Sequence, residues 1–232
     1  MGLLAEGNVQ LVLKNVQVQK NNDGIRLCDA VKLTMEDSTI CKNQGSGLIL
    51  EGNAQVTVEG SNINENNDDG LQLWDFSKGE IMNSTIVENG TGIWLRDAAY
   101  VSVKNCSIQK NGIGINEWGE TQAIIFDSLI RGNTTGIDLS GSGPGKVENC
   151  TVIENSLIGI CVSGICRMDM FIDNNIIENN KVGIEARNAI RPIYCRGNIM
   201  RNNGIDLVGN LPGTIREPLG EATEHEIIYP NK

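Results

Sequence analysis

Apolar side chains recur along this chain with two superimposed periods. Over a few residues they alternate with polar ones, as in Gly92-Ile93-Trp94-Leu95, the spelling of a half-buried strand. Over longer distances the tetrad Gly-Ile/Leu-x-aliphatic returns at Gly2, Gly24, Gly47, Gly70, Gly92, Gly114, Gly136, Gly159, Gly183 and Gly204, in steps of 21 to 24 residues. The residue after each glycine is Leu or Ile every time, from Leu3 to Ile205. Two positions further on stand Ala5, Leu27, Leu50, Leu73, Leu95, Glu117, Leu139, Val162, Ala186 and Leu207. Between these strands lies a second apolar set, Leu13, Met35, Val58, Ile81, Val103, Ile125, Val147, Ile172 and Cys195. Five residues after each comes a third: Val18, Ile40, Ile63, Ile86, Ile108, Ile130, Val152, Ile177 and Met200. Each repeat therefore turns side chains inward from about three short strands.

Three residues beyond the third set an asparagine appears in every repeat: Asn21, Asn43, Asn66, Asn89, Asn111, Asn133, Asn155, Asn180 and Asn203. An asparagine tolerates the left-handed conformation of a bend. Amides stacked one strand spacing apart, about 4.8 Å, can hydrogen-bond up and down the column. A period of 22 to 23 residues also suits leucine-rich repeats, whose convex side takes a helix. The β-branched, Asn-rich and Gly-rich spelling here disfavours helix throughout. Parallel strands joined in one continuous spiral take the right-handed crossover. The pattern predicts an all-β, right-handed parallel β-helix solenoid over residues 1–208, of about nine to ten coils with 22–23 residues and three short strands per coil. Residues 209–232, which carry three of the five prolines, read as a C-terminal cap or linker tail.

The repeated spelling "GIxL…VxVxNxxIxxN" resembles the parallel β-helix repeats of the pectin-lyase-like superfamily, including its carbohydrate-binding and sugar-hydrolase type, over residues 2 to about 208. The resemblance implies the β-helix fold and a connection to glycans. It carries over no catalytic residue, because nothing beyond the structural rung matches.

Composition adds exclusions. A formal net charge of −10 and a pI near 4.7 repel phosphate backbones and anionic headgroups, so nucleic acid is a poor partner. No apolar run reaches the roughly 20 residues of a spanning helix, and no basic segment followed by an apolar stretch opens the chain, so no membrane insertion or export signal is expected. Seven cysteines, Cys28, Cys41, Cys106, Cys150, Cys161, Cys166 and Cys195, form no C-x-x-C pair and are odd in number. They read as small, reduced core residues, which suits a cytoplasmic setting, whereas a surface or secreted parent would weaken that inference. Residues 2–10, GLLAEGNVQ, repeat residues 47–55, GLILEGNAQ, so the chain enters directly into the repeat. Either it is a segment of a larger protein, or its uncapped first coil associates end to end or edge to edge with a partner. The single histidine, His225, reads as a solvated tail residue.

Candidate chemistry gathers where the repeat breaks its own uniformity. The outward positions of the GIxL strand are mixed in most coils, but three consecutive coils hold Trp74, then Trp94 with Arg96, then Asn116 with Trp118. These are all three tryptophans. A flat, exposed indole cluster with Arg96 and Asn116 beside it suits stacking on sugar rings and directional bonds to hydroxyls or a uronate. The competing structural reading is cross-strand stacking with an arginine on top.

Glu117 falls in an otherwise aliphatic column, where an unpaired carboxylate is expensive. Because NGIGINEWG contains two overlapping tetrads, the favoured solution is a register starting at Gly112, which buries Ile113 and Ile115 and releases Glu117 into the turn. The sharper solution is a carboxylate of raised pKa serving as acid or base. Paired with Asp138 it would make a glycosidase-like couple, and Arg96 with Asp97 and Asp75 would serve β-elimination. Asp29, Asp75 and Asp97 share a position with glycines in other coils, and so read first as turn formers. Asp68 and Asp69 in NENNDDG are candidate calcium ligands, although the same spelling is a turn; no other cofactor is implied. Five N-x-S/T triplets, at Asn83, Asn89, Asn105, Asn133 and Asn149, follow from the turn spelling and are weak glycosylation signals.

The expectation is a non-catalytic binding or scaffold module that takes glycan, or a neighbouring protein domain, on the Trp74, Trp94, Arg96, Asn116, Trp118 face. A polysaccharide lyase, hydrolase or epimerase using Arg96, Asp97, Glu117 and Asp138 is the alternative, and a purely structural stalk is the third reading.

Overall fold

A computed structural model describes residues 1–164, 168–189 and 191–209. Cys166, His225 and all but the first residue of the expected tail lie outside the described residues. Short strands follow one another from Leu3–Ala5 to Ile205–Gly209, and no helix occurs among the described residues. No helix there is long and apolar enough to cross a membrane.

The strands stack into three parallel sheets of ten, nine and nine, each strand pairing with its counterparts one coil before and one coil after. The first sheet carries the GIxL strands, the second the Leu13 to Cys195 column, the third the Val18 to Met200 column. All pairings are parallel and in repeat register, for example Leu71 with Ile93, Ile93 with Ile115, and Ile115 with Ile137. Stacking like on like puts each column in the interior, so Ile25, Leu48, Leu71, Ile93, Ile115, Ile137, Ile160 and Ile184 are all 0% exposed. Each such burial contributes about 1.5–3 kcal/mol, and the core is one continuous rod of aliphatic layers.

Two polar ladders run along the corners. The asparagines from Asn43 to Asn180 are buried, each accepting at Oδ1 from the backbone and side-chain amides of the asparagine one coil earlier. The left-handed residue of that bend is not the asparagine but the one before it, such as Lys20, Lys42, Glu65, Glu88 or Lys110. The reason is that the amide must point inward to reach its neighbours, which leaves the preceding charged side chain outside. There Lys42 faces Glu65 at 3.7 Å and Lys110 faces Glu88 at 3.2 Å.

A second ladder, which the aliphatic pattern does not announce, joins the second and third sheets through Ser38, Ser61, Ser84, Cys106, Ser128, Cys150, Asn175 and Asn198. Backbone amides one coil earlier donate to these side chains, as Ser38 does to Ser61 Oγ at 3.1 Å and Cys106 to Ser128 Oγ at 3.1 Å. Burial pushes the Cys106 thiol up and the Cys150 thiol up to about 12, which keeps both as neutral sulfur.

The last coil departs from the tetrad register. Val182 pairs with Ile205 and Ile184 with Leu207, so Asp206 rather than Gly204 occupies the rung-glycine position. The ladder sets this: rung glycines stand three or four residues after a ladder asparagine, and Gly204 follows Asn203 directly. At the other end Leu3, Leu11, Leu13 and Val18 are only partly buried, and the outward Leu4 and Val12 are 53% and 70% exposed.

Rung glycines carry the corner. A Cβ at Gly47 would lie 2.7 Å from Gly70 O and 2.9 Å from Asn66 Nδ2, both atoms fixed by the ladders. Gly47→Ala is therefore expected to lower stability by about 1–3 kcal/mol, read as a lower urea midpoint with unchanged far-UV circular dichroism.

Candidate functional site

Past the rung glycine the strands of the first sheet alternate inward and outward, so their outward residues form two columns, in which Ile49, Gln72 and Cys161 are themselves buried. One runs Arg26, Ile49, Gln72, Trp94, Asn116, Asp138, Cys161 and Glu185. The other contains Trp74, Arg96 and Trp118 on successive coils, followed by Ser140, Ser163 and Arg187. The strands Thr91–Asp97 and Ile113–Gly119 are the longest of the sheet, at seven residues each, and they hold the centre of the cluster.

All five residues expected to bind ligand are brought together here. The indoles do not form a coplanar platform. Trp74 and Trp94 meet edge to face, with centroids 6.3 Å apart and planes at 87°, and both are half-buried. Trp118 is 60% exposed. The Arg96 guanidinium lies 5.6 Å from the Trp74 centroid and 5.5 Å from that of Trp118, between one ring from the coil before and one from the coil after. Asp97 Oδ2 stands 3.8 Å from Arg96 Nε. Ring contacts on either side hold the guanidinium plane still, and its in-plane donors are the form suited to a carboxylate or a pair of hydroxyls.

The catalytic candidates separate. Leu95 pairs with Glu117 and Glu117 with Leu139, so the register starting at Gly112 is not adopted. Glu117 does not enter the turn; it stays in the aliphatic column and is 0% exposed. The cause is again the ladder, since Asn111 sets Gly114, three residues on, as the rung glycine, whereas Gly112 follows too closely. Asp138 shares the outward column of Asn116, so Glu117 and Asp138 sit on opposite faces of one sheet and cannot flank one bond as an acid and base pair.

Neither Glu117 oxygen meets hydrogen-bond geometry with a donor, the Ala123 amide giving the charged form only partial relief, and desolvation pushes its pKa up to about 8. Burial also raises Asp138, whose carboxylate accepts from Ser140, itself joined to Ser163.

Asp29, Asp75 and Asp97 all have positive φ, as do Gly7, Gly52 and Gly119 at the same turn. Asp29 and Asp75 accept from the Gly7 and Gly52 amides at 3.0 and 2.9 Å, which is turn chemistry. Asp69 is buried, with its carboxylate bonded by Gln72 and Thr91, whereas Asp68 is exposed. Among the described residues no three His, Cys, Asp or Glu side chains converge as a metal site would require. Two of the N-x-S/T asparagines, Asn89 and Asn133, are consumed in the buried ladder.

Comparison with known proteins agrees with this architecture. Residues 1–144 and 112–211 match the family described as the right handed beta helix region. No curated protein matches the chain. Among solved structures, a double mutant of the periplasmic alginate epimerase AlgG superposes with a TM-score of 0.74 at 15% identity, covering 93% of this chain and 61% of that one. The periplasmic alginate epimerase AlgG itself gives 0.57 at 14% identity over 92% and 68% of the two chains. Pectate lyase Pel9A gives 0.52 at 12% identity over 85% and 69%. Identities this low speak for the fold alone, and the chain spans 61% of the length of the first of these epimerase structures. With its three parallel sheets, its inward aliphatic columns and its match across both halves, this chain belongs to the right handed beta helix family.

Proposed function

We propose that this chain is a non-catalytic glycan-binding module of β-helix fold that takes a sugar chain on the outward face formed by Trp74, Trp94, Arg96, Asn116 and Trp118. The observation that carries the reading is the concentration of every tryptophan on three consecutive rungs of one sheet, with Trp118 60% exposed beside a guanidinium held in place by two indoles. A solitary exposed indole is common; a rigid group of three with in-plane donors at its centre suits sugar rings and their hydroxyls. The fold is shared with proteins named as an alginate epimerase and a pectate lyase, which favours a polysaccharide ligand over a protein one. The acidic chain, at −10, opposes a highly charged polyanion, so Arg96 would have to offset that field locally for a uronate.

The test is a titration of tryptophan emission with alginate, pectate and neutral oligosaccharides, alongside an assay for new reducing ends and unsaturated products. Emission is expected to change with at least one glycan while no product forms, and Trp118→Ala is expected to weaken binding about tenfold, the equivalent of about 1.4 kcal/mol, with the fold intact. Product formation would convert the reading to an enzyme. Binding by no glycan would leave a structural stalk, and binding with unchanged affinity in Trp118→Ala would move the site off this face.

A further inference from the structure

The interior of the sixth coil holds two polar groups that the rest of the core leaves largely unsatisfied. Glu117 and Thr121 are both 0% exposed, and neither the carboxylate oxygens nor the Thr121 hydroxyl has a hydrogen-bond partner. Both pack against one residue of the next coil: a Cβ built on Gly141 would lie 2.5 Å from Thr121 Oγ1 and 3.4 Å from Glu117 Oε2. Over them runs Ser140–Gly145, spelled SGSGPG, in which Pro144 is the one apolar side chain; it is anchored at its far end, where the Gly145 amide donates to Met170 Sδ at 3.0 Å, and it buries little apolar surface over Glu117 itself.

The strand that carries Glu117 is held unevenly. Ile113–Gly119 pairs with Thr91–Asp97 as far as Gly119, but with Thr135–Leu139 only as far as Glu117. Past that point the next coil holds it through Ser142, whose amide donates to Gly119 O at 2.6 Å and whose hydroxyl donates at 3.2 Å. The charges around Glu117 are few. From Thr91–Asp97 the inward neighbour is Leu95, with Arg96 outward and Asp97 at the turn; from Thr135–Leu139 it is Leu139, with Asp138 outward and opposing ionisation. Gln122–Phe126 contributes the Ala123 amide, and the SGSGPG cover contributes no ionisable group.

We propose that Glu117 is a proton-operated latch on the Trp118 end of its strand: neutral, it packs in the column; ionised, it admits water through the Ser140–Gly145 cover, frees the strand end and parts Trp118 from Arg96. An ionised carboxylate without a partner costs more in this interior than opening one strand end whose ladder continues past Glu117 on one side only. The open form regains the ordinary carboxylate pKa of 4.5, while the closed form titrates near 8. Opening therefore becomes about tenfold more populated for each pH unit between those values and levels off above. The latch is independent of the glycan-binding reading; its further consequence, weaker glycan binding as pH rises, rests on that reading.

Amide hydrogen exchange, corrected for intrinsic rates, on the full chain and on Glu117→Gln tests it. Over about pH 5 to about pH 8 the amides of 117–121, 140–143 and 145 are expected to lose protection by about tenfold per unit in the original chain, and to keep it in Glu117→Gln. Unchanged protection, loss spread evenly over all coils, or the same loss in Glu117→Gln would overturn the latch. Glu117→Leu, which restores the column's own residue type, gives the same comparison should the glutamine variant fail to fold. Local opening confirmed while glycan affinity stays constant over the same pH range would uphold the latch and sink the role of Trp118 in binding.

Discussion

Glu117→Leu is expected to stabilise this protein by on the order of 3 kcal/mol at neutral pH, a large gain for one substitution. The side chain it replaces sits between Leu95 and Leu139 with no exposure and no hydrogen-bond partner. In the folded state the carboxyl keeps its proton up to about pH 8; in the unfolded chain it loses it near 4.5. Between those values the folded state binds one more proton than the unfolded, so stability falls as pH rises, by about 1.4 kcal/mol per unit, and is flat outside the window. The stability present below pH 4.5 is thus lost by pH 8. Leucine removes the titrating group and fills the same volume, so its variant shows none of this slope. Urea unfolding at a series of pH values reads both effects, and an original chain whose midpoint is constant from about pH 5 to about pH 8 would contradict the account.

Asn111→Ala is expected to cost about 3 kcal/mol or more, whereas Asn21→Ala costs less than about 1.5 kcal/mol. Asn111 Oδ1 accepts from the Asn89 backbone amide at 3.0 Å and from Asn89 Nδ2 at 3.2 Å. Its own Nδ2 donates to Ile86 O at 3.2 Å and Asn133 Oδ1 at 3.1 Å. Alanine strands the buried Asn89 backbone amide and takes a donor from Ile86 O and one of two from Asn133 Oδ1, and no water reaches a site 3% exposed without disturbing the coil. Asn21 is partly exposed and donates to Asn43 without accepting from an earlier coil, so its loss is replaced by solvent. In a one-dimensional array the defect also uncouples the coils on either side, and thermal unfolding of Asn111→Ala should broaden. Equal losses for the two variants would show that the ladder is incidental.

The periodic spelling was enough to read the three inward columns, the asparagine ladder and the parallel coil, because each layer repeats the layer beneath it and a position's neighbours are copies of itself. For the same reason the three tryptophans could be placed on adjacent rungs of one outward face from spacing alone. Register at ambiguous tetrads was not legible from the aliphatic residues: Gly112 and Gly204 fit that pattern as well as Gly114 and Asp206 do. The distance from the preceding ladder asparagine, three or four residues, would have settled both, since the buried amide fixes where the next coil begins. The serine and cysteine ladder is not legible in the aliphatic pattern, because small serines spell a turn as readily as a buried column and the two ladder cysteines read as ordinary core residues.

By itself, then, the sequence determined the solenoid, its period and the composition of its faces, all of which depend on local alternation and on like stacking upon like. Only the tertiary structure decided that Glu117 is locked inside, that Asp138 lies on the far side of the same sheet, that Arg96 rests between two indoles, and that Thr121 Oγ1 and Glu117 Oε2 both come to lie against Gly141 of the next coil. Those outcomes depend on the angle of each ring and on which atoms meet between coils, and a linear repeat does not encode either.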